Sequence, residues 1–374
     1  MVKRSRLRMG LLIAAATLLL GYGTAYVASS EVRYLSRAGI EETRILTGRI
    51  PITALARDSS VPDSIRAMAK LVVEVRGYAA RLGLDAKETY TSYSDVGRDT
   101  LLLVLTASPK NCLCPVTWRY PIAGRVPYKG FFDFDEGKRA ASSYAVKGYD
   151  VNLRPSAAFS TLGWFNDPLL STALTRDSVE LASLVFHEIA HNTIWVKGAT
   201  DFNESFAQWV GYRATEEFFL ARGDTALSFR AGDRWHDEQV LGDYYGLLLG
   251  KLDSLYALKL PSDENDAGRA TIARWSADTL SGPLGQSLRT IRVTRFAERP
   301  INNAQLLGVR LYRTELPLFS SWDRAFRGDL TRALYTLGAL LQDAKGSEAF
   351  DLMRAMVKTI RPIGNPAAGA GDPQ

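Results

Sequence analysis

The chain has 374 residues, which is enough for one large or two ordinary domains with a substantial core. Its hydrophobic fraction of 46% and charged fraction of 23% are those of a globular protein, and they exclude disorder over most of the length. The formal net charge is +6, but four cations near the N-terminus precede any acid, so the rest of the chain is close to neutral. A nucleic-acid-binding surface is therefore not indicated.

An uncharged segment from Met9 to Ser30 follows these four cations, and its apolar centre reads LLIAAATLLL. About 20 apolar helical residues cross a hydrocarbon core of roughly 30 Å. Positive charge at one end only predicts that the N-terminus stays in the cytoplasm while the rest of the chain crosses the membrane. Residues 1–30 are predicted to be either a retained membrane anchor or a signal peptide that is cleaved after Ala25.

The first half of the chain mixes helical and strand patterns. Apolar residues recur at spacings of three and four in segments 30–50 and 60–84, which predicts helices. Segments 100–106 (TLLLVLT) and 149–155 (YDVNLRP) predict strands, and a section rich in proline and glycine follows the first of them. A short helix is predicted before the second strand, ending at Gly148.

Cys112 and Cys114 are the only cysteines, in the stretch NCLCP. Two sulfurs one residue apart are too few to hold a metal ion by themselves. They are predicted to be either small apolar side chains or a minor bridge of an exported protein, and they are assigned no chemistry.

From Asp177 onward the pattern is helical almost to the end. Long amphipathic segments span residues 233–259 and 329–360, and the closing segment 362–374, rich in proline, glycine and alanine, is predicted to be a disordered tail. The fold class is therefore predicted to be α+β, with a small mixed β-sheet in the N-terminal half packed on a predominantly helical body.

A single domain is predicted over residues 31–361. Its sheet-containing part extends to about residue 170, and its helical part begins at about residue 171. The catalytic chemistry is expected in the helical part, because the histidine-containing segment described next lies there.

Two of the three histidines stand four residues apart in the helical segment DSVELASLVFHEIAHNTIW. Residues at this spacing lie on one face of a helix, so His187 and His191 can bind one metal ion. Glu188 lies about 100° around the helix from His187, near the ion but poorly placed as a ligand. In metallohydrolases that carboxylate accepts a proton from the water that the metal activates. The H-E-x-x-H spacing therefore predicts a zinc-dependent hydrolase, and the alternative is a pair of buried core histidines.

The ends of this helix are also predicted from the sequence. Asp177 with Glu180 three residues later has the capping-box pattern, which indicates a helix start. Gly198 is the corresponding stop signal.

A catalytic zinc ion needs a third protein ligand and an open fourth position. A histidine six residues after His191 is excluded, because Lys197 stands there, and the remaining histidine, His236, lies among charged residues. Glu204 is the better candidate, because the new helix that it opens can return beside the end of the first. The alternative for Glu204 is a surface acid near a helix N-terminus.

The second helix has the composition needed for close packing. Ala207, Gly211 and Ala214 give it a small side, which allows it to approach the histidine helix. Gln208 lies four residues beyond Glu204 on the same face and is predicted to accept the spare ring N–H of a liganding histidine.

The stretches HEIAH and FNESFA together resemble the gluzincin metallopeptidases, in which H-E-x-x-H is followed by a downstream glutamate. Three further blocks, WRYPIAGRVPYKGFF, GYDVNLRPSAAFSTLGWFNDPLLS and NNAQLLGVRLYRTELPLF, are similar to a family of bacterial predicted aminopeptidases, in that family's order. The likeness extends over nearly the whole chain. It implies a zinc peptidase of the cell envelope, on the periplasmic side, with His187, His191 and Glu204 as ligands and Glu188 as general base.

Two features depart from related proteins. Tyr22 stands where many members of this family carry a lipid-modified cysteine, so a lipid anchor is not expected. The G-x-M-E-N motif that binds the substrate amine in alanyl aminopeptidases is absent, so exopeptidase activity is implied by the family resemblance alone. An envelope endopeptidase and a non-catalytic, membrane-tethered zinc-binding scaffold remain the alternatives.

Several residues are candidates for contacts with a peptide substrate. Tyr312 is predicted to stabilise the oxyanion of the tetrahedral intermediate, with Tyr149 or His236 as alternatives. Trp164 and Phe165 are predicted to form apolar walls of the substrate cleft, and the strand at 149–155 is able to pair with an extended peptide.

Overall fold

The structure is a computed structural model that describes residues 2–120, 124–156, 168–175, 177–293 and 300–360. The helices in these ranges are α1 (Val2–Ala28), α2 (Ser30–Thr47), α3 (Ile52–Leu55), α4 (Asp63–Arg81), α5 (Phe134–Val146), α6 (Ser178–Thr193), α7 (Thr200–Ala221), α8 (Thr225–Ala257), α9 (Ser262–Ser281), α10 (Pro283–Gln286), α11 (Asn303–Tyr312), α12 (Leu316–Ala325), α13 (Leu330–Leu340) and α14 (Glu348–Thr359). The strands are β1 (Ile50–Pro51), β2 (Ser92–Ser94), β3 (Leu102–Ser108), β4 (Trp118–Tyr120), β5 (Gly124–Val126), β6 (Lys129–Phe131), β7 (Asp150–Ser156) and β8 (Leu169–Leu170).

The strands form three small sheets within the described ranges. The order β6–β3–β7 is antiparallel throughout, whereas β2 pairs antiparallel with β1 and parallel with β8, and β4–β5 is a hairpin. The predicted α+β class with a helical body is confirmed, but the β-structure is divided between separate sheets.

Local sequence signals place the elements of the first half within a few residues. The strands predicted at 100–106 and 149–155 are β3 and β7. The side chain of Asp133 caps α5 by accepting from the backbone N–H groups of Asp135 and Glu136. Gly148, with φ of +83°, ends the turn after that helix in the left-handed conformation that favours glycine.

The main hydrophobic core lies around α6 and α7, with α4, α12, α13 and α14 packed on them. Burial of a large apolar side chain contributes about 1.5–3 kcal/mol, so this aromatic-rich cluster dominates the stability of the helical body. Its largest fully buried side chains include Phe186, Phe202, Phe206, Trp209, Phe319 and Trp322. Helix α7 is buried on most of its faces. The small side predicted from Ala207, Gly211 and Ala214 is therefore only part of its buried surface.

The amphipathic segment predicted at 329–360 is two helices, α13 and α14, with a turn between them. Gly346, with φ of +53°, adopts the left-handed conformation in this turn. Its backbone N–H donates to the carbonyl of Lys197 in the loop between α6 and α7, at 3.0 Å. The break in the predicted helix therefore supports the loop that joins the two helices of the candidate site.

The N-terminal helix α1 exposes a run of large apolar side chains, among them Leu18, Leu19 and Leu20. Within the described ranges, no helix taken alone has the length and apolar content to span a bilayer. The pair Leu12–Ala28 and Glu31–Thr47, which is bent by 109° at the break, meets these criteria when the two helices are taken together. The membrane anchor or signal peptide thus stays a prediction, and the tail predicted at 362–374 lies outside the described residues.

A partly buried acidic cluster on α7 makes stability depend on pH. Burial and the charges of Asp323 and Glu216, opposed by Arg213 at 3.6 Å, together raise the pKa of Glu217 to about 7. In the unfolded chain Glu217 returns to its ordinary pKa. The folded state therefore binds more protons between about pH 4.5 and pH 7, and stability falls as pH rises through that window.

We therefore expect Glu217→Gln to raise the melting temperature at pH 8 and to leave it nearly unchanged at pH 5. The neutral amide removes the buried charge, while Arg213 keeps its ion pairs with Asp323 and Glu216. Thermal denaturation of both proteins across this pH range measures the effect. A melting temperature below that of the wild type at pH 8 would contradict this account of Glu217.

Candidate metal centre

Helix α6 begins as its sequence predicts. The side chain of Asp177 accepts hydrogen bonds from the backbone N–H groups of Val179 and Glu180, at 3.0 and 3.2 Å. Glu180 does not complete the capping box, because its carboxylate pairs with Arg234 on α8 at 3.0 Å. The helix ends at Thr193, before the predicted stop at Gly198, whose φ of +78° instead shapes the following loop.

A buried asparagine fixes the loop between α6 and α7. The side chain of Asn203 accepts from the backbone N–H of Val196 and donates to its carbonyl, both at 2.9 Å. Asn203 is fully buried, so loss of either bond would leave a buried backbone group unpaired. The sequence assigned this residue no role, although it precedes Glu204 and determines where α7 starts.

Close packing of α7 on α6 brings Glu204 to the histidines. A Cβ atom added to Gly211 would lie 3.0 Å from the carbonyl oxygen of Ser183 and 3.6 Å from Cβ of His187. Ala207 and Ala214, on the same predicted small side, are fully buried. The two helices are therefore in direct backbone contact one turn before the first histidine.

We expect Gly211→Ala to lower the free energy of unfolding by about 1–3 kcal/mol, because overpacked cores show losses of that size. The carbonyl of Ser183 cannot rotate away from a new methyl group as its hydroxyl can, so α7 has to move outward. Metal affinity should weaken as well, since Glu204 moves with the helix.

Chemical denaturation and metal titration measure both effects. The matched control is Gly246→Ala on α8, where an added Cβ meets nothing within 4 Å. Alanine there should be neutral or stabilising by up to about 1 kcal/mol. Equal behaviour of the two variants would show that the α6–α7 contact tolerates a methyl group.

Three predicted ligands converge where the helices meet. Nε2 of His187 lies 3.2 Å from Nε2 of His191, and the Glu204 carboxylate lies 3.4 Å from the first and 3.8 Å from the second. One potential ligand atom from each residue lies within 4.8 Å of the other two. The three side chains are 13–18% exposed, so an ion among them would be shielded but reachable.

These distances fit a tetrahedral zinc ion. Ligand bonds of about 2.0–2.1 Å at tetrahedral angles separate two ligand atoms by about 3.3 Å. Burial and the neighbouring His187, opposed by Glu204, together lower the pKa of His191 to about 4. His191 is therefore neutral at pH 7, as a metal ligand has to be.

Glu188 and Tyr312 lie beside the three ligands. The ring of Tyr312 is 6.4 Å from that of His187, centroid to centroid, and it is 39% exposed. Burial and the charges of Glu204 and Glu188, opposed by Arg154, together raise the pKa of Tyr312 to about 12. Tyr312 thus remains a hydrogen-bond donor throughout the neutral range and is close enough to both carboxylates to sense their charges.

Two contacts lock the end of α11, which carries Tyr312, to the helices of the site. Arg313 forms a bidentate ion pair with Glu238 on α8, with distances of 2.8 and 3.1 Å. The backbone N–H of Thr314 donates to the hydroxyl of Ser205, at 3.2 Å. Ser205 follows Glu204 directly, so the tyrosine and the third ligand are held by adjacent residues.

The other candidates for the oxyanion role make contacts elsewhere. Nε2 of His236 lies 3.2 Å from the carbonyl oxygen of Ser287, and the ring of Tyr149 packs edge-on against Tyr144. Trp164 and Phe165, the predicted cleft walls, lie outside the described residues.

The predicted support of a histidine by Gln208 is not observed. Within the described ranges, no hydrogen bond joins this amide to either imidazole, and Nδ1 of His191 is buried without a partner. The usual arrangement, in which the second ring nitrogen of a liganding histidine donates to a carboxylate, carbonyl or water, is therefore not supplied by these side chains.

An exposed tryptophan that the sequence analysis did not single out borders the site. Trp195 is 59% exposed, and its ring centroid lies 5.5 Å from that of His191. No local sequence signal identifies this contact, because Trp195 lies beyond the end of α6 at Thr193, where helical spacing no longer applies. The exposed indole and Tyr312 contact different histidines, so aromatic rings border the ligands at both imidazoles.

Comparison with known proteins extends these observations. No curated protein and no solved structure matches the chain. A family model described as "Putative aminopeptidase" matches residues 33–350, a range that contains the three converging ligands, Glu188 and Tyr312. The resemblance found in the sequence blocks is confirmed. Because the match covers most of its length, the chain belongs to the putative aminopeptidase family.

Proposed function

We propose that this protein is a zinc-dependent aminopeptidase of the bacterial cell envelope. The observation that carries the proposal is the convergence of ligand atoms from His187, His191 and Glu204, on two packed helices, with Glu188 next to the first histidine. Family membership supports the reaction class and the word aminopeptidase.

The residues around the site have defined tasks in this mechanism. The two histidines and Glu204 would hold a zinc ion, which would supply Lewis acidity toward water and the scissile carbonyl. Glu188 accepts the proton of the attacking water and delivers it to the leaving amine. The Tyr312 hydroxyl, which stays protonated, donates a hydrogen bond to the oxyanion of the tetrahedral intermediate.

The ligand set favours an open catalytic site over a closed structural one. Structural zinc sites have four protein ligands, commonly with cysteine. Both cysteines of this chain are bonded to each other, in the Cys112–Cys114 disulfide, and the ligand group found in the described ranges has three members. A fourth position is thus left for water or substrate, as a hydrolase requires.

Two features support a location in the envelope. Disulfides form and persist in oxidising compartments, which agrees with export of the part of the chain that contains Cys112–Cys114. The apolar part of α1, which follows four cations at the start of the same helix, agrees with a retained anchor or a signal peptide. Peptides of the periplasm are then the substrates to which the site has access.

Metal removal is the direct test. We expect the purified protein to contain about one zinc per chain, to lose peptidase activity when a chelator removes it, and to regain activity when zinc is returned. Elemental analysis and a peptide-hydrolysis assay measure the two quantities. Activity that persists in metal-free protein would overturn the proposal.

Paired substrates separate the alternatives. An aminopeptidase cleaves peptides with a free N-terminal amine and leaves N-acetylated ones intact, whereas an endopeptidase cleaves both. Stoichiometric zinc without cleavage of either class would indicate the scaffold function instead.

A further inference from the structure

Strand β7 presents a cation that no carboxylate of the described ranges neutralises. The side chain of Arg154 is exposed, and it makes no ion pair or hydrogen bond in the described part of the chain. Arginines of the interior are paired, for example Arg269 with Asp150 at 2.6 Å and Arg213 with Asp323 at 3.0 Å. Exposed arginines without a partner are common on protein surfaces, so the argument depends on where Arg154 lies relative to the metal centre.

Strand β7 and helix α11 start at a shared contact. Oδ2 of Asp150, the first residue of β7, accepts from the backbone N–H of Asn303, the first residue of α11, at 2.7 Å. The side chain of Asn302 donates to the carbonyl of Val151 at 2.9 Å. Helix α11 also packs on β3, the neighbour of β7 in the sheet, so it lies along this edge of the fold.

Helix α11 packs on β7 from this shared start, so an equal advance along the two elements places Arg154 near the end of α11. Side chains four residues apart in a strand share a face, and four strand residues advance about 13 Å. Nine helical residues, from Asn303 to Tyr312, advance about 13.5 Å. The charge of Arg154 acts on the Tyr312 hydroxyl, which agrees with their proximity.

We propose that Arg154 binds a carboxylate of the peptide substrate at the border of the metal centre, and that the protein thereby prefers peptides with a carboxylate close to the scissile bond. A guanidinium group offers two parallel N–H donors to a carboxylate, the geometry in which this pairing is strongest. Its side chain forms no ion pair within the described ranges, so it is available to a substrate carboxylate. This inference rests on the peptidase function proposed above.

The carboxylate has two sources, and the substrates distinguish them. The first pair is a tripeptide with a free C-terminus and the same tripeptide as its amide. The second pair consists of C-terminally amidated peptides that carry glutamate or glutamine after the scissile bond. A preference in the first pair identifies the chain end of short peptides, and a preference in the second identifies an acidic side chain. The absence of both preferences overturns the inference while leaving the peptidase function intact.

Four proteins are assayed on these substrates: wild type, Arg154→Gln, Arg154→Lys and the control Arg57→Gln, which removes an equally exposed charge after α3. We expect the wild type to favour the charged member of one pair by about tenfold or more in kcat/KM, mainly through KM. Arg154→Gln should abolish this preference, Arg154→Lys should keep part of it, and Arg57→Gln should keep all of it.

The neutral substrates test the competing possibility that Arg154 serves the reaction itself and not the recognition of a carboxylate. Arg154→Gln should cleave the neutral amides with kcat/KM within about twofold of the wild type. An equal loss on charged and neutral peptides, at unchanged zinc content, would show that Arg154 serves the reaction itself and would overturn the inference.

A binding measurement makes the inference independent of turnover. In the Glu188→Gln background, calorimetric titration should show tighter binding of the charged peptide, and adding Arg154→Gln should remove the difference. Equal dissociation constants for both members of each pair would overturn the inference. If the wild type cleaves no peptide at all, the proposed function fails first, and these titrations still report whether Arg154 recognises a carboxylate.

Discussion

Glu188→Gln is expected to keep its zinc and to lose peptidase activity by about 10²–10⁴-fold, the usual contribution of a general acid or base. Glutamine has nearly the same shape as glutamate but cannot accept the proton of the attacking water. The three ligands are unchanged, so metal content and melting temperature should match the wild type. Metal analysis and kcat/KM on a peptide with a free N-terminus measure the two properties.

The control for this variant lies on the same helix. Glu180→Gln removes an equal charge from α6, at a side chain that is half exposed and paired with Arg234. It should retain nearly full activity, because that carboxylate does not contact the ligand group. Full activity of Glu188→Gln would reject the role of this residue as the general base.

Glu204→Ala is expected to weaken zinc binding by more than about 100-fold, since even residues that only orient a metal ligand contribute 10–100-fold. The substitution removes the one anionic ligand, and two imidazoles alone do not hold zinc firmly. Activity should fall with metal content and return in part at high zinc concentration. Competition with a chromogenic chelator measures the affinity.

Asp201→Ala is the matched control, because Asp201 is an exposed acid in the first turn of the same helix. It should bind zinc as the wild type does. Normal zinc affinity in Glu204→Ala, with the fold intact by circular dichroism, would mean that another group completes the site. Loss of zinc in both variants would indicate a general weakening of the start of α7.

The two substitutions separate chemistry from metal binding. Glu188→Gln should be inactive and metal-loaded, whereas Glu204→Ala should be inactive and metal-poor. The difference follows from the structure, in which Glu204 lies 3.4 Å from Nε2 of His187. A reversed pattern would exchange the roles of the two carboxylates.

Some of the site could be predicted from the sequence because it depends on local geometry. The four-residue spacing of His187 and His191 fixes both on one helix face, whatever surrounds the helix. The cap at Asp177 and the positions of β3 and β7 also follow from signals within a few residues of each element. Glu204 could be selected from its residue type, its distance along the chain and the small residues that follow it.

Other features were decided by contacts between distant segments. The rings of Tyr312 and His187 meet because Arg313 and Thr314 are held by residues of α8 and α7, and no local pattern encodes that contact. The division of the strands into three sheets, and the break that separates α13 from α14, likewise depend on what each segment packs against.

The sequence by itself determined the chemistry of the helix that carries the histidines, because helical periodicity converts spacing into direction without reference to the rest of the molecule. Only the tertiary structure decided which other side chains lie beside the histidines of that helix. Asn203 forms hydrogen bonds that hold the loop before Glu204, Trp195 is exposed beside His191, and Arg154 lies on β7. Their positions result from close packing between helices and strands that are distant in the sequence. The residues next to each of them along the chain do not specify that packing.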